Sequence, residues 1–220
     1  MTKNIITVHC PICKHDHETE AVRLVNVAGN EELKKKLDSG EIFEYTCPDC
    51  GSFMHLNYSF MYQDTDIREY IYLSEEKPEE GKYSFDQIAK NAMALAEGNT
   101  SDALLRVVYS EADLREKIRI FENGLDDRIV EIVKGIALSQ FPSTEEFFVT
   151  DIRYDNIGGQ ELLRLICSDG TEEYVLEFNQ IYNEIYDKYG NLFPPIRNSV
   201  FSCIDLEFAA GFLREADAME

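Results

Sequence analysis

Two copies of one short motif, Cys-Pro-x-Cys, constrain the fold of this chain more than any other feature. The first copy runs from Cys10 to Cys13, the second from Cys47 to Cys50, and residues 14–46 separate them. A Cys-x-x-Cys turn places two sulfur atoms on one side of a metal ion, and two such turns supply the four thiolates of a tetrahedral zinc site. The motif pair therefore predicts a fold in which the two turns face each other.

The segment between the motifs is longer than the ~15–20 residues usual in zinc sites of this kind, so we expect an insertion. Residues 31–38 (EELKKKLD) predict a short helix, and Gly29 and Gly40 bracket it as helix breakers. A zinc ribbon with a helical insertion is the expected architecture of residues 1–77.

Strands are predicted on both sides of the cysteine turns. Residues 4–9 (NIITVH) and 41–46 (EIFEYT) lead into them, and residues 52–62 (SFMHLNYSFMY) alternate as one strand leaving the second turn. Gly51 permits a left-handed turn after the second pair. Lys14 takes the matching place after the first pair, so we expect that turn to be less ideal or to have a different shape.

Redox chemistry and disulfides are the alternatives to a metal. Redox motifs place the first thiol at a helix N-terminus inside a βαβ unit, whereas the residues after Cys50 have a strand period. The N-terminal 30 residues lack a basic start followed by an apolar run, and no stretch approaches the ~18 apolar residues of a membrane helix. We therefore expect a cytoplasmic protein, with no membrane partner, in which paired thiols stay reduced and bind metal.

The predicted site is a structural zinc ion without catalytic residues. Four thiolates close the coordination sphere, so the ion stabilises the fold and performs no Lewis-acid chemistry. His15 and His17 are expected at the surface, with contact to the metal or its ligands left open, and Cys167 and Cys203 are expected as small buried residues. The predicted ligands are Cys10, Cys13, Cys47 and Cys50.

The motifs CPIC and CPDCG, together with EIFEYTCPDCG and the following YSFMYQD, resemble the CpXC-domain family of bacterial and archaeal proteins. That family is defined by two Cys-Pro-x-Cys motifs flanking a helical insertion. The resemblance covers residues 6–75 by motif and extends to residues 114–134, a segment of longer family members. The family has no established activity, so the resemblance implies metal binding by the four cysteines and implies no catalytic residue.

The rest of the chain predicts a second domain, residues 78–220, after a polar linker at 74–82. Residues 84–142 are predicted to form a helix capped by Ser84, an undecided strand or helix end at 103–110, and a helical hairpin. Residues 143–220 predict three short strands in an antiparallel meander, separated by the turn segments DNIGGQ and DGT and followed by two helices. The predicted fold class is therefore α+β.

Charge limits the partners that this chain can bind. The net charge is −21, and residues 143–220 alone carry 5 basic and 16 acidic side chains, a balance of −11. Nucleic-acid binding draws affinity from neutralising phosphates, so this charge disfavours it. The sequence predicts a non-catalytic, zinc-stabilised protein that binds an unknown protein partner as an interaction or adaptor module.

Two alternatives remain open at the level of sequence. The first is a zinc ribbon that binds nucleic acid. The second is an enzyme that uses carboxylates in the C-terminal half, with Asp126, Asp127 and Glu131 as candidates. The simpler interpretation of these acidic residues is capping of a helix N-terminus, where they meet free N–H groups and the helix dipole.

Overall fold

The structure is a computed structural model that describes residues 2–78 and 83–217. These residues form six α-helices and three sheets, which confirms a mixed α and β fold. The chain divides into two compact units. The first comprises residues 1–115 and 197–202, and the second comprises residues 116–196 and 203–220. The predicted boundary after residue 77 lies inside the first unit. The division into domains at 1–77 and 78–220 stays a prediction. Residues 79–82 of the predicted linker lie outside the described residues.

The first unit is built on a five-stranded mixed sheet. Its elements in chain order are β1 (Thr2–His9), β2 (Asp16–Asn26), α1 (Glu31–Asp38), β3 (Glu44–Thr46), β4 (Phe53–His55), β5 (Phe60–Asp64), β6 (Glu69–Leu73), α2 (Phe85–Leu95) and β7 (Leu104–Val108). The strand order is β1-β2-β5-β6-β7, with β2–β5 and β6–β7 parallel and the other neighbours antiparallel. The short strands β3 and β4 form a separate antiparallel hairpin.

The core of the first unit lies between this sheet and α2. Every residue of β6 and β7 is buried. β7 is the last strand of the sheet, and its outer side is covered in part by residue 202, whose carbonyl accepts a hydrogen bond from the Val107 N–H at 3.0 Å. Helix α2 begins after Ser84, whose hydroxyl accepts a hydrogen bond from the Gln87 N–H, and it buries Ile88 and Ala92. Burying each large apolar side chain contributes about 1.5–3 kcal/mol. The main cluster comprises Leu24, Met61, Tyr70, Tyr72, Ile88, Ala92, Ala103, Leu105, Val107 and Phe201.

The structure corrects two predicted strands, and it shows that a segment left open between strand and helix end forms a strand. Residues 52–62 do not form one strand, because β4 pairs with β3 whereas β5 turns away to pair with β2. The residues 41–43 form a short 3-10 helix, so only residues 44–46 of the predicted strand are extended. Residues 104–108 form the strand β7, which pairs in parallel with β6. The helix predicted at residues 31–38 is confirmed with those bounds as α1.

The second unit combines helices with the predicted antiparallel meander. Residues 116–122 of helix α3 (Glu111–Glu122) belong to this unit. The elements that follow are α4 (Asp127–Gln140), β8 (Val149–Ile157), β9 (Gln160–Cys167), β10 (Glu172–Val175), α5 (Phe178–Tyr189) and α6 (Leu206–Asp217). The strand order β8-β9-β10 confirms the meander. Within the described residues, every helix falls short of the length and apolar character needed to span a bilayer.

Gly40 provides a test of local packing in the first unit. Its φ is 78°, and an added Cβ would lie 2.7 Å from Oε1 of Glu111. We expect Gly40→Ala to lower the free energy of unfolding by about 1–3 kcal/mol, because alanine is strained at this φ and the carboxylate must move. Urea denaturation measures the change.

Gly29 is the matched control, because its φ is 66° and no atom lies within 4 Å of its added Cβ. Gly29→Ala should cost only the conformational part, about 1 kcal/mol. Equal losses in the two variants would show that the Glu111 contact contributes nothing.

Candidate metal centre

The two Cys-Pro-x-Cys motifs occupy equivalent loops of two β-hairpins. The first loop, residues 10–15, joins β1 to β2, which pair so that His9 lies opposite Asp16. The second loop, residues 47–52, joins β3 to β4, and Thr46 lies opposite Phe53. Both loops therefore have the same length and begin directly after a paired strand residue.

Backbone hydrogen bonds show that the two loops also have the same shape. In the first, the Cys10 N–H donates to the His15 carbonyl at 2.9 Å and the Lys14 N–H donates to the Cys10 carbonyl at 2.9 Å. In the second, Cys47 and Gly51 repeat this pattern, with the Cys47 N–H bonded to the carbonyl of Ser52. The φ angles are 65° at Lys14 and 70° at Gly51. The expectation of a different shape was therefore wrong. The expectation of a less ideal turn holds, since Lys14 adopts the left-handed conformation that favours the glycine of the second loop.

The four sulfur atoms converge. Sγ of Cys10 lies 3.6 Å from Sγ of Cys50, and Sγ of Cys13 lies 3.7 Å from Sγ of Cys47. All four sulfurs lie within 4.8 Å of one another. Four ligands at a Zn–S distance of about 2.3 Å form a tetrahedron with edges of about 3.8 Å, so this donor set fits one zinc ion.

The thiols are neither joined in disulfides nor placed as in a redox motif. None of the six cysteines, all of which lie within the described residues, forms a disulfide. The first cysteine pair is followed by β2 and the second by β4, so neither pair opens a helix. Close approach of all four sulfurs is what a shared ion requires, whereas pairwise oxidation requires only two.

The side chain of Ser52 contacts two of the sulfurs. Its Oγ lies 3.3 Å from Sγ of Cys10 and 3.1 Å from Sγ of Cys50. A hydroxyl that donates to a thiolate favours the charged form. This contact, followed by backbone N–H groups, lowers the pKa of Cys10 to about 5, and it also lowers the pKa of Cys50.

Cys13 has the opposite tendency. The backbone contact at His15 lowers its pKa, but burial and the neighbouring thiols of Cys10, Cys47 and Cys50 outweigh that contact and raise the pKa to about 12. Sulfurs this close repel one another when several are ionised, so the protein alone favours only part of the set as thiolates. A divalent cation at the centre removes that repulsion and allows all four to ionise.

Histidine and aspartate side chains lie beside the cysteines. Nε2 of His17 is 3.5 Å from Sγ of Cys47 and 3.6 Å from Oδ2 of Asp49. Nδ1 of His15 is 2.5 Å from the same oxygen of Asp49. The His15 contact lowers the pKa of Asp49, followed by the charges of the two imidazoles. The open question about the two histidines is thus answered in part, since His17 contacts a predicted metal ligand.

Sequence reasoning did not single out Ser52 and Asp49 as members of this centre. Both belong to the second loop, and the motif letters alone do not show which way a loop side chain points. The matching length of the two loops is the signal that would have found them, because it places residues of one loop against the sulfurs of the other.

The candidate carboxylates of the enzyme alternative have structural partners. Asp126 is the N-cap of α4, as the simpler interpretation predicts, and it accepts hydrogen bonds from the backbone N–H and the guanidinium of Arg128. Asp127 and Glu131 are buried, and Nζ of Lys117 lies 3.3 Å and 2.9 Å from their oxygens.

These two carboxylates belong to a larger buried ion network. Nζ of Lys134 lies 3.0 Å from Glu131 and 3.1 Å from Glu116, and Glu116 also contacts Arg153 at 3.1 Å. Three carboxylates thus meet three cations, and the backbone N–H of Tyr154 donates to Glu116 at 2.6 Å. Burial lowers the pKa of Lys117, but the carboxylates of Glu131 and Asp127 outweigh that effect and raise it. The arrangement holds helices α3 and α4 together through paired charges.

We expect Lys117→Met to lower the free energy of unfolding by about 3–5 kcal/mol, because it leaves Asp127 and Glu131 buried without this partner. Urea denaturation at pH 7 measures the loss. Since folding raises the pKa of Lys117, its contribution is complete below pH of about 10.4 and is lost as pH rises through the folded-state pKa.

The matched control is Lys3→Met, which breaks the exposed pair of Lys3 and Glu20 at 2.7 Å. That change should cost less than about 1 kcal/mol. A loss of the same small size for Lys117→Met would show that the buried pair contributes no more than a surface pair.

Comparison with known proteins identifies the family. The family model described as CpXC protein matches residues 8–134, which is more than half of the 220 residues. The match includes both cysteine loops and reaches α4, so it covers residues 114–134 as the resemblance implied. Neither a curated protein nor a solved structure matches the chain. The chain, with its two Cys-Pro-x-Cys loops and four converging sulfurs, belongs to the CpXC family.

Proposed function

We propose that Cys10, Cys13, Cys47 and Cys50 bind one zinc ion in a closed structural site, and that the paired loops form a zinc ribbon. The observation that carries this proposal is the spacing of the sulfurs, 3.6 Å and 3.7 Å for the two closest contacts between loops. An all-thiolate tetrahedral set is typical of structural zinc. When bound, the ion supplies positive charge and rigid cross-linking, with no open coordination position for a substrate.

The zinc ion would stabilise a part of the first unit that is too small to be stable alone. Strands β3 and β4 have three residues each, and an isolated two-stranded hairpin is marginal in water. Cross-linking its loop to the β1–β2 loop fixes the hairpin through two strong ligands. Metal binding free energy then acts as folding free energy for this region.

The role of such a zinc-stabilised protein is non-catalytic binding of another protein. Ile12 at the tip of the first loop is 69% exposed, and Phe53 after the second loop is 59% exposed. Exposed apolar side chains on a chain of net charge −21 favour a protein partner with an apolar face and a rim of lysine or arginine. The net charge of −21 supports this class of partner over nucleic acid. A reducing compartment such as the cytoplasm would keep the thiols available for zinc.

Loss of the second cysteine pair tests the metal. We expect the wild-type protein to carry one zinc per chain by elemental analysis. Cys47→Ser with Cys50→Ser should carry none and should lose the thermal transition of the first unit, because two ligands are removed from one ion.

Cys203→Ser is the matched control, because its thiol contacts Asp205 at 3.3 Å and a hydroxyl can take over that contact. This variant should keep its zinc and its melting temperature. Zinc retained after loss of Cys47 and Cys50, or iron found in place of zinc, would contradict the proposed site.

A second experiment tests the binding role. Ile12→Ser with Phe53→Ser should keep one zinc per chain and wild-type melting, but should weaken capture of the partner from host lysate at least tenfold. Capture by the wild type should also fall as salt rises, since a basic rim is part of the expected partner. Unchanged capture by the double variant would exclude these two side chains as the contact.

A further inference from the structure

A cleft in the first unit lies between the five-stranded sheet and helix α2. Its volume is about 310 Å³, and its lining comes from β2, β6, the segment after β6, and α2. Ile88 and Leu95 of α2 provide an apolar wall, and Arg23, Tyr72 and Asn91 bring polar groups to the same space. A concave, partly apolar space with a few convergent polar groups is the usual form of a small-molecule site.

Arg23 is the charged residue of an otherwise uncharged strand segment, residues 21–27 (AVRLVNV). Its side chain is half-buried and lines the cleft. Within residues 2–78 and 83–217, no group forms an ion pair or a hydrogen bond with its guanidinium. A charge that is partly removed from water is costly unless it is paired. The guanidinium is therefore placed to pair with an anion from outside the chain.

A β-bulge gives Arg23 its position. Lys3 pairs with Val22 and Thr2 pairs with Leu24, so Arg23 is an extra residue on β2. A bulge bends its strand and turns the extra side chain in a new direction, and bulges are frequent beside functional sites. Leu24 belongs to the core of the first unit, so the backbone that carries Arg23 is anchored next to the cleft.

Tyr72 adds a second polar group that the chain itself does not use. The residue is 3% exposed, and pairing with Met61 fixes its place in the sheet. In the part of the chain that the structure describes, its hydroxyl has no hydrogen-bond partner, although buried tyrosine hydroxyls usually have one. Oδ1 of Asn91 accepts from Nε2 of Gln87 at 3.0 Å, which leaves the Asn91 amide nitrogen available to donate. A ligand with acceptor atoms would satisfy these donors.

The charges around the cleft favour a carboxylate over a phosphate. A guanidinium matches a planar carboxylate through two parallel N–H···O bonds. Among the lining residues that the structure describes, Arg23 is the one cation, whereas Glu75 and Glu76 are also in the lining. One cation compensates a single negative charge, and the two glutamates disfavour a second.

We propose that this cleft binds a small carboxylic acid with an apolar body. Its carboxylate pairs with Arg23, the Tyr72 hydroxyl and the Asn91 amide are the further donors, and the hydrocarbon part packs on Ile88 and Leu95. All five residues lie outside the two cysteine loops. The site therefore goes beyond the zinc and adaptor roles, and its test does not depend on either.

Isothermal titration calorimetry of the full-length protein with isocaproate and with hydrocinnamate tests the proposal. The wild type should bind at least one of these acids saturably, with one equivalent per chain, and about tenfold more tightly than the corresponding amide, which has the same shape without the charge. Arg23→Met should weaken binding about tenfold, and Tyr72→Phe should also weaken it. The matched control is Lys90→Met, which removes an exposed cation of α2 that does not line the cleft and should leave binding unchanged.

Four results would overturn the proposal. They are no binding of either acid by the wild type, equal binding of acid and amide, unchanged binding by Arg23→Met, and binding of isoamyl phosphate as tight as that of isocaproate. The last of these would show that the cleft selects phosphate at least as well as carboxylate. Circular dichroism and thermal melting check the fold of each variant. If Arg23→Met does not fold, Tyr72→Phe decides, because it removes a single oxygen atom, and unchanged binding by that variant would then count against the site.

Discussion

The parallel pairing of β2 with β5 is the constraint on which the four-cysteine cluster depends. Parallel neighbours cannot be joined by a tight turn, so the chain must make a crossover between them. Here the crossover consists of α1, the 3-10 helix and the β3–β4 hairpin. The crossover therefore places the second cysteine loop beside the first one, which joins β1 to β2. The long spacing between the motifs follows from this path, since it must include the 11 residues of β2 as well as the crossover.

The two cysteine loops, which have the same length and shape, form a site with an inner and an outer part. The inner part is the set of four sulfurs, which receives hydroxyl contacts from Ser52. The outer part contains His15 and Asp49 from the two loops and His17 from β2, and these side chains lie beside the sulfur cluster. Because both parts depend on the same two hairpins, a change in the pairing of the loops would alter them together.

Local features of this fold were predictable from sequence, and long-range pairings were not. The helix α1 was predicted with its correct bounds because breaking glycines and charge pattern act within a few residues. The alternation of residues 52–62 continues through both β4 and β5, so periodicity alone could not show that the two strands pair with different partners. Likewise, residues 104–108 became identifiable as a strand only through the parallel pairing with β6.

The candidate site divides in the same way. The four cysteines could be identified from sequence because each Cys-x-x-Cys turn places two sulfurs close together, and two such turns supply the four ligands of a tetrahedral ion. The roles of Asp49 and Asp127 were not, because a carboxylate's role depends on what faces it across the fold. Asp49 meets two imidazoles, and Asp127 meets a buried ammonium group.

Clustered negative charge is compensated by a different means in each of the two units of this acidic chain. In the second unit the carboxylates of the ion network are balanced by lysine and arginine side chains. In the first unit Ser52 favours the thiolates of Cys10 and Cys50, while burial and the neighbouring thiols raise the pKa of Cys13 to about 12. These contacts therefore favour the thiolates of Cys10 and Cys50 but not that of Cys13. A divalent cation among the sulfurs would complete the compensation, and the close approach of all four sulfurs is compatible with such an ion.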